Sequence, residues 1–283
     1  MEKITLIGSG GQMGSWFSKY FVDSGFDVTG FDTESEITTK DVKVAKSLIS
    51  GILQADYVML CTPTKRTPEI IRLIAKEMKR GSYLIDISSE KSKVMSSLSR
   101  TPAKIHPVCI HPMFGPGIRT LKNRNIVSIP VRDAKMELNV AKKLFSGANF
   151  VTIDASEHDK KMAIILGIPH LVNLCFASVI SKDGRTPLIE KMSGPTFKLQ
   201  RTLSEGIMSE SADLIETIIS NPEMRKHAEE LWKDIGRLLT ATQESKTEEI
   251  LAYIQKCQEN IQSSTSSAKA YKKMIKMANA IDA

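Results

Sequence analysis

The feature that most restricts this chain is the heptapeptide GSGGQMG, Gly8 to Gly14, set between a short apolar strand and a helical pattern. Residues 3–8 (KITLIG) read as the strand, and Gln12 to Ser24 carry apolar residues at helical spacing up to a stop at Gly25. Glycines let the backbone turn tightly and approach a pyrophosphate, whose charge is then held by free amides at the helix N-terminus. A GxGxxG frame ending on Gly14 puts Ser9 where the first glycine belongs and leaves Gly11 and Gly14 in place, with Gly8 and Gly10 as additional glycines. The spacing assigns Gly8, Ser9, Gly11, Gln12, Met13 and Gly14 to nucleotide binding.

Asp32 closes a second strand, residues 26–32, where an acid accepts hydrogen bonds from ribose hydroxyls. A carboxylate there repels a 2′-phosphate, and Thr33 and Glu34 follow with no arginine, so NAD is favoured over NADP. A third strand, residues 56–61 (DYVMLC), runs into Cys61-Thr62-Pro63-Thr64. Thr62 and Pro63 are expected to meet the cofactor, because ligands gather at the carboxyl ends of such strands. Residues 67–78 have helical spacing, residues 82–86 form a fourth strand, and strand-like runs follow at 127–131 and 150–153. Strands alternating with helices predict an α/β fold, a Rossmann-type doubly wound and mostly parallel sheet.

From Ser156 onward the pattern is helical, with breaks near Gly167-Ile168-Pro169, Asp183-Gly184, Gly194-Pro195, Asn221-Pro222 and Gly236, and the final forty residues read as one long surface helix. The expected domains are residues 1–154, binding NAD, and residues 155–283, an all-α domain for substrate.

At 283 residues and 41% hydrophobic content the chain can fill two cores. Its net charge of +7 is spread among acids with no aromatic-and-basic stripe, which points away from nucleic acid and suits a dinucleotide and an anionic metabolite. The opening MEKITLIGSG lacks the apolar run of a secretory signal, and the apolar pattern from Met162 to Ile180 is interrupted by Gly167, Pro169, His170 and Asn173. No membrane span and a cytoplasmic location are expected. Cys61, Cys109, Cys175 and Cys257 are too scattered for a zinc site or a disulfide framework, and no metal is expected.

A second cluster joins Asp86-Ile87-Ser88-Ser89-Glu90-Lys91 to His111-Pro112-Met113-Phe114-Gly115-Pro116, both read as loops following strands. Oxidation of an alcohol needs a hydrogen-bond acceptor on the hydroxyl while hydride leaves the same carbon, and histidine suits that near neutral pH. His111 is the first candidate.

HPMFGP, the upstream IDISSEKS, the later SEHDKKMA and the helix IPHLVN closely resemble, in order, the prephenate dehydrogenases of tyrosine biosynthesis. The resemblance implies a homodimer that takes prephenate and NAD to 4-hydroxyphenylpyruvate, carbon dioxide and NADH. Carried over by motif, His111 would hydrogen-bond the ring hydroxyl, Ser89 would orient His111, His170 would line the pocket, and His158 would brace the domain junction. The family usually has an arginine for a substrate carboxylate at the position that is Gly206 here. Lys198, which matches a second basic position, and Arg201 are the substitutes, about 80° and 140° round the helix from position 206 at roughly 100° per residue.

Three alternatives stay open. Arogenate differs from prephenate in carrying an amine, which an acid such as Glu205 or Glu210 would favour. A related 3-hydroxy-acid dehydrogenase would use a lysine and an asparagine, for which Lys191 and Asn173 are poorly spaced. A non-catalytic NAD-sensing protein would account for the glycine at 206 but not for Ser89, His111 and His170.

Overall fold

The computed structural model describes residues 1–183, 187–262 and 267–281. They form two compact units, Met1–Met162 and Ala163–Ala283.

The first unit is built on one eight-stranded sheet: β1 (Lys3–Ile7), β2 (Asp27–Phe31), β3 (Lys43–Val44), β4 (Tyr57–Leu60), β5 (Tyr83–Asp86), β6 (His106–Pro112), β7 (Asn125–Ile129) and β8 (Asn149–Thr152). Their spatial order is β3-β2-β1-β4-β5-β6-β7-β8. Every neighbouring pair is parallel except β6 with β7, so the expected doubly wound, mostly parallel sheet is present with one antiparallel join. Six helices accompany it: α1 (Gln12–Asp23), α2 (Leu48–Ile52), α3 (Thr67–Ile74), α4 (Ser92–Ser99), α5 (Ala134–Leu144) and α6 (Ala155–Met162).

Strand residues alternate between the two faces. On β4, Tyr57 and Met59 join a core with Phe17 and Phe21 of α1, while Val58 and Leu60 join a second core with Ile71 and Ile74 of α3 and Val94 and Leu98 of α4. Burial on both faces is why these central strands read as continuous apolar runs. The strand order reverses between β1 and β4, which opens the crevice where ligands of such sheets bind.

Two sequence expectations need correction. His111 lies inside β6, paired with Val127 of β7, and not in a loop; Pro107 and Pro112 hid this strand, since proline usually argues against strand interiors. The apolar stretch around residue 167 is also not broken: α6, a π-helical turn (Ala163–Gly167) and α7 (Ile168–Asp183) follow one another without a loop. The run Ala155–Lys182 is thereby long and apolar enough to cross a membrane by length and composition, a test that a core helix passes too. Its His158, Asp159, His170 and Asn173 are buried and hydrogen-bonded.

The second unit continues with α8 (Pro187–Met192), α9 (Pro195–Met208), α10 (Ala212–Ile219), α11 (Met224–Gln243), α12 (Thr247–Gln262) and α13 (Ser267–Ile281). Breaks occur at Gly194-Pro195 and Asn221-Pro222 as expected, while residue 184 lies outside the described residues. Gly236 does not break α11; an exposed helical glycine costs only about 1 kcal/mol against alanine. Within the last forty residues, α12 packs on α11 and α13 on α9, while residues 263–266, on which the expectation of one long helix turns, lie outside the described residues.

Candidate functional site

Geometry decides which glycines of the first turn are required. Gly8 has φ +85°, and a Cβ there would stand 2.4 Å from the Cys61 carbonyl oxygen; a Cβ on Gly14 would stand 2.0 Å from the Gly8 oxygen, and one on Gly10 would stand 2.5 Å from the Ser35 oxygen. These separations exclude any side chain unless the backbone moves. Gly11 is different, with only ordinary contact at 3.5 Å. The frame with a fault at Ser9 is therefore replaced by one that needs Gly8, Gly10 and Gly14. Ser9 occupies space left by Gly30, whose own Cβ would meet the Ser9 hydroxyl at 2.6 Å. Gly11 precedes α1, whose N-terminus has no side-chain cap, so the first-turn amides around Gln12 and Met13 are suited to an anion.

Asp32 supports this turn directly. Its Oδ2 accepts from the Gly10 amide at 2.9 Å, and its Oδ1 accepts from the amides of Glu34 (2.9 Å) and Ser35 (3.0 Å). Burial works to raise its pKa, and the backbone amides outweigh that, so the group stays an anion. Oδ2 keeps capacity for another donor. Thr62 lies against the turn, its methyl 3.3 Å from a Cβ built on Gly8, and its hydroxyl bonds that of Thr67 at 2.9 Å. Arg66 pairs with Glu34 at 2.5 Å, so a guanidinium invisible to a reading of residues 33 and 34 stands close by, already matched by an acid.

The second cluster lies at the carboxyl ends of β5 and β6. Asp86 and Lys91 form an ion pair of 2.8 Å with both side chains fully buried. The Lys91 ammonium also donates to the Ile110 carbonyl at 2.6 Å, and the Ser88 hydroxyl donates to Asp86 at 2.9 Å. Burial pushes the Cys109 thiol up, with its sulfur 3.5 Å from Asp86.

His111 Nδ1 lies 2.9 Å from His158 Nε2, and His158 Nδ1 lies 2.8 Å from Asp159 Oδ1. All three residues are buried. Asp159 is anchored by the amides of Lys91 (2.9 Å) and Ser92 (2.8 Å) at the start of α4. Burial opposes its charge, but His158 and these amides hold its pKa down to about 2. His111 is driven well below the usual histidine range, mainly by burial, then by the Lys91 charge and His158, against the pull of Asp159. His158 occupies the Nδ1 side of the His111 ring, and among the described residues no hydrogen bond joins Ser89 to that ring. His158 itself belongs to the first unit. The adjacent His-Asp in SEHDKKMA was the available signal for this chain of rings. Phe114 of HPMFGP packs against Trp16 at 5.5 Å between ring centres, and the Trp16 indole donates to the Ile118 carbonyl, which fixes the segment after His111.

In the second unit, His170 Nδ1 lies 2.7 Å from the Leu166 carbonyl and Nε2 lies 3.1 Å from Glu210. A carbonyl and a carboxylate only accept, so the two contacts together favour the doubly protonated ring. Burial opposes that state, and Glu210 with the Leu166 carbonyl overcomes it, raising the pKa. Asn173 accepts from Gln200 (2.9 Å) and Ser204 (2.8 Å), locking α7 to α9. On α9, Arg201 pairs with Glu205 at 3.0 Å, and nothing stands within 4 Å of a Cβ built on Gly206.

The model of the prephenate dehydrogenase nucleotide-binding domain matches residues 23–154, and that of the prephenate dehydrogenase dimerization domain matches residues 154–256. The chain is similar to a probable arogenate/prephenate dehydrogenase of Methanocaldococcus jannaschii, 26% identical over 79% of this chain and 53% of the relative. It is also similar to a prephenate dehydrogenase of Lactococcus lactis, 26% identical over 82% of this chain and 70% of the relative. The chain thus spans about half the length of the first of these. In fold it is similar to a prephenate dehydrogenase from A. aeolicus crystallised with hydroxyphenyl propionate and NAD+, with a TM-score of 0.73 at 20% identity, covering 93% of this chain and 98% of that one. The two domain models meet at residue 154, whereas the first compact unit runs to Met162. Helix α6 packs with the first unit because Asp159 caps α4 and His158 bonds His111.

Proposed function

The chain belongs to the prephenate dehydrogenase family, and from that premise we propose that it catalyses the NAD-dependent oxidative decarboxylation of prephenate to 4-hydroxyphenylpyruvate. The observation that carries this reading is the chain His111–His158–Asp159. An ionised Asp159 accepts a hydrogen bond from the N–H at His158 Nδ1, which leaves His158 Nε2 as an acceptor and so requires the proton of His111 to sit on Nδ1. His111 Nε2 then presents a lone pair to the ring hydroxyl of the substrate.

NAD, when bound, accepts the hydride from the carbon that bears that hydroxyl. As the hydride leaves, His111 draws the hydroxyl proton and the ring carboxylate departs as carbon dioxide, so the ring becomes aromatic. The proton returns to the phenol oxygen, and no net proton is released. Ser89, half-buried after β5, is proposed to bind substrate or nicotinamide with its hydroxyl. Gly8, Gly10, Gly14, the first turn of α1 and Asp32 are proposed to hold the pyrophosphate and the ribose. His170, Lys198 and Arg201 of the second unit are proposed for the substrate's anionic groups. A homodimer through the second unit and a cytoplasmic location complete the reading.

Arogenate is the second reading, favoured by Glu210, an acid paired with His170 that would complement an ammonium. Purified protein with NAD and each substrate in turn, followed by NADH absorbance, tests both. Turnover of neither compound would refute the proposal.

A further inference from the structure

Among the described residues Lys91 is the single buried lysine, and the reaction just described gives it no direct part. A fully buried ammonium is costly unless paired and hydrogen-bonded, and replacing a buried ion pair with apolar residues is often neutral or stabilising. Stability alone is therefore weak grounds for a buried ammonium at this place. The geometry supplies a role. The ammonium is held between Asp86 at the end of β5 (2.8 Å) and the carbonyl of Ile110 on β6 (2.6 Å), one residue before His111. The backbone amide of the same residue holds Asp159, the far end of the histidine chain, at 2.9 Å. One residue thus fixes both ends of His111–His158–Asp159 and keeps a positive charge beneath it.

We propose that Lys91 is a positioning residue for His111: it fixes the β6 backbone beside the imidazole, and its charge keeps that imidazole unprotonated and ready to accept from the substrate. The inference rests on the reading of His111 as the acceptor for the substrate hydroxyl. The charged and titratable groups around His111 are Lys91 and Asp86 from the β5–α4 segment, Cys109 from its own strand, and His158 and Asp159 from α6. Of these, Asp159 favours a second proton on the ring, and the ammonium opposes it. Without Lys91, burial and His158 alone would oppose Asp159, and the ring would take up its second proton at a higher pH.

The test is an NMR titration of the imidazole protons in the full chain, which has only five histidines, with His111 assigned through His111→Gln. The double variant Lys91→Met/Asp86→Asn removes both charges at nearly constant volume and leaves no buried ion unpaired. The His111 midpoint is expected to rise by about one pH unit, a tenfold change in the protonated fraction at a given pH, and the acid limb of kcat/KM is expected to move with it. Lys91→Arg keeps the charge but cannot reproduce both short contacts, so its midpoint should stay low while kcat falls. A His111 midpoint unchanged in the folded double variant overturns the proposal. So does a midpoint that rises as far in Lys91→Arg, which alone decides the matter if the double variant does not fold. The titration needs no substrate, so wild-type protein inactive on prephenate and arogenate would defeat the proposed function while leaving this measurement readable.

Discussion

His111 and His158 meet nitrogen to nitrogen at 2.9 Å, and Asp159 beyond them fixes which nitrogen of each ring carries the proton. An aspartate acting through one histidine on another sets a tautomer at a distance, because a neutral imidazole that donates on one side must accept on the other. Only with Asp159 ionised does His111 expose an acceptor, and Asp159 is held ionised by two backbone amides at the start of α4 as well as by His158.

His111→Ala is expected to lower kcat with prephenate by roughly a hundredfold or more at nearly unchanged NAD affinity, the range that a positioned acid–base group contributes. Asp159→Asn should lower kcat in the same direction by a smaller factor, since an amide can donate to His158 and reverse the proton order. Steady-state kinetics with NAD binding by calorimetry checks both. Loss of NAD binding in His111→Ala would show a structural role instead.

Two histidines should tilt stability in opposite directions with pH. His111 has a folded pKa below the usual 6.5, so its contribution is complete above about pH 6.5 and is lost as pH falls toward the lowered value. His170 has a raised folded pKa, so its contribution is complete below about pH 6.5 and is lost as pH rises through the folded value. Urea midpoints between about pH 5 and 8 should lose their acid-side fall in His111→Gln and their alkaline-side fall in Glu210→Gln. Equal slopes in wild type and both variants would contradict these assignments.

The glycine turn offers a steric test. Gly14→Ala and Gly8→Ala place a methyl 2.0 Å and 2.4 Å from backbone oxygens and should abolish measurable NAD binding, whereas Gly11→Ala meets only a 3.5 Å contact and should fold normally. Comparable losses at all three positions would remove the distinction between turn and cradle.

Much of the first unit was legible because its signals are local. An apolar strand, a glycine turn and an amphipathic helix announce themselves within about twenty residues, and Asp32 falls where the second strand ends. Strand β6 was hidden by its own prolines, and the role of Lys91 was hidden by its charge, which composition assigns to the surface. His158 was visible as a motif member, but its partner lies 47 residues away, and no periodicity connects them. In the second unit the helices were legible as a class while their ends were not. A π-helical turn ending at Gly167 leads directly into α7, which holds Pro169 in its first turn, and an exposed glycine leaves α11 intact.

Cofactor choice follows from Asp32 and the Glu34–Arg66 pair together. Wild-type protein should prefer NAD in kcat/KM, and Asp32→Ala with Glu34→Gln should narrow or reverse the preference by removing two acids and releasing Arg66 toward a 2′-phosphate. Wild-type preference for NADP would overturn the reading of Asp32.

The position that is Gly206 poses the remaining question, because prephenate carries two carboxylates and a buried anion without a cationic partner is unfavourable. Both nitrogens of His170 are engaged by Leu166 and Glu210, so prephenate as substrate would call for another cation. Arg201 bridges to Glu205 along its own helix, so a substrate carboxylate there would take the place of Glu205. Lys198 faces closer to position 206 but brings a point charge in place of a two-pronged donor. Charged hydrogen bonds are typically worth about 1.5 to 3 kcal/mol, so Lys198→Gln or Arg201→Gln should raise KM for prephenate roughly tenfold to hundredfold at the residue that binds it, with NAD affinity unchanged. Gly206→Arg has space at its Cβ and should improve prephenate KM if the pocket follows the family pattern. Wild-type KM in both glutamine variants, with no gain from Gly206→Arg, would mean that the second unit recognises a different ligand.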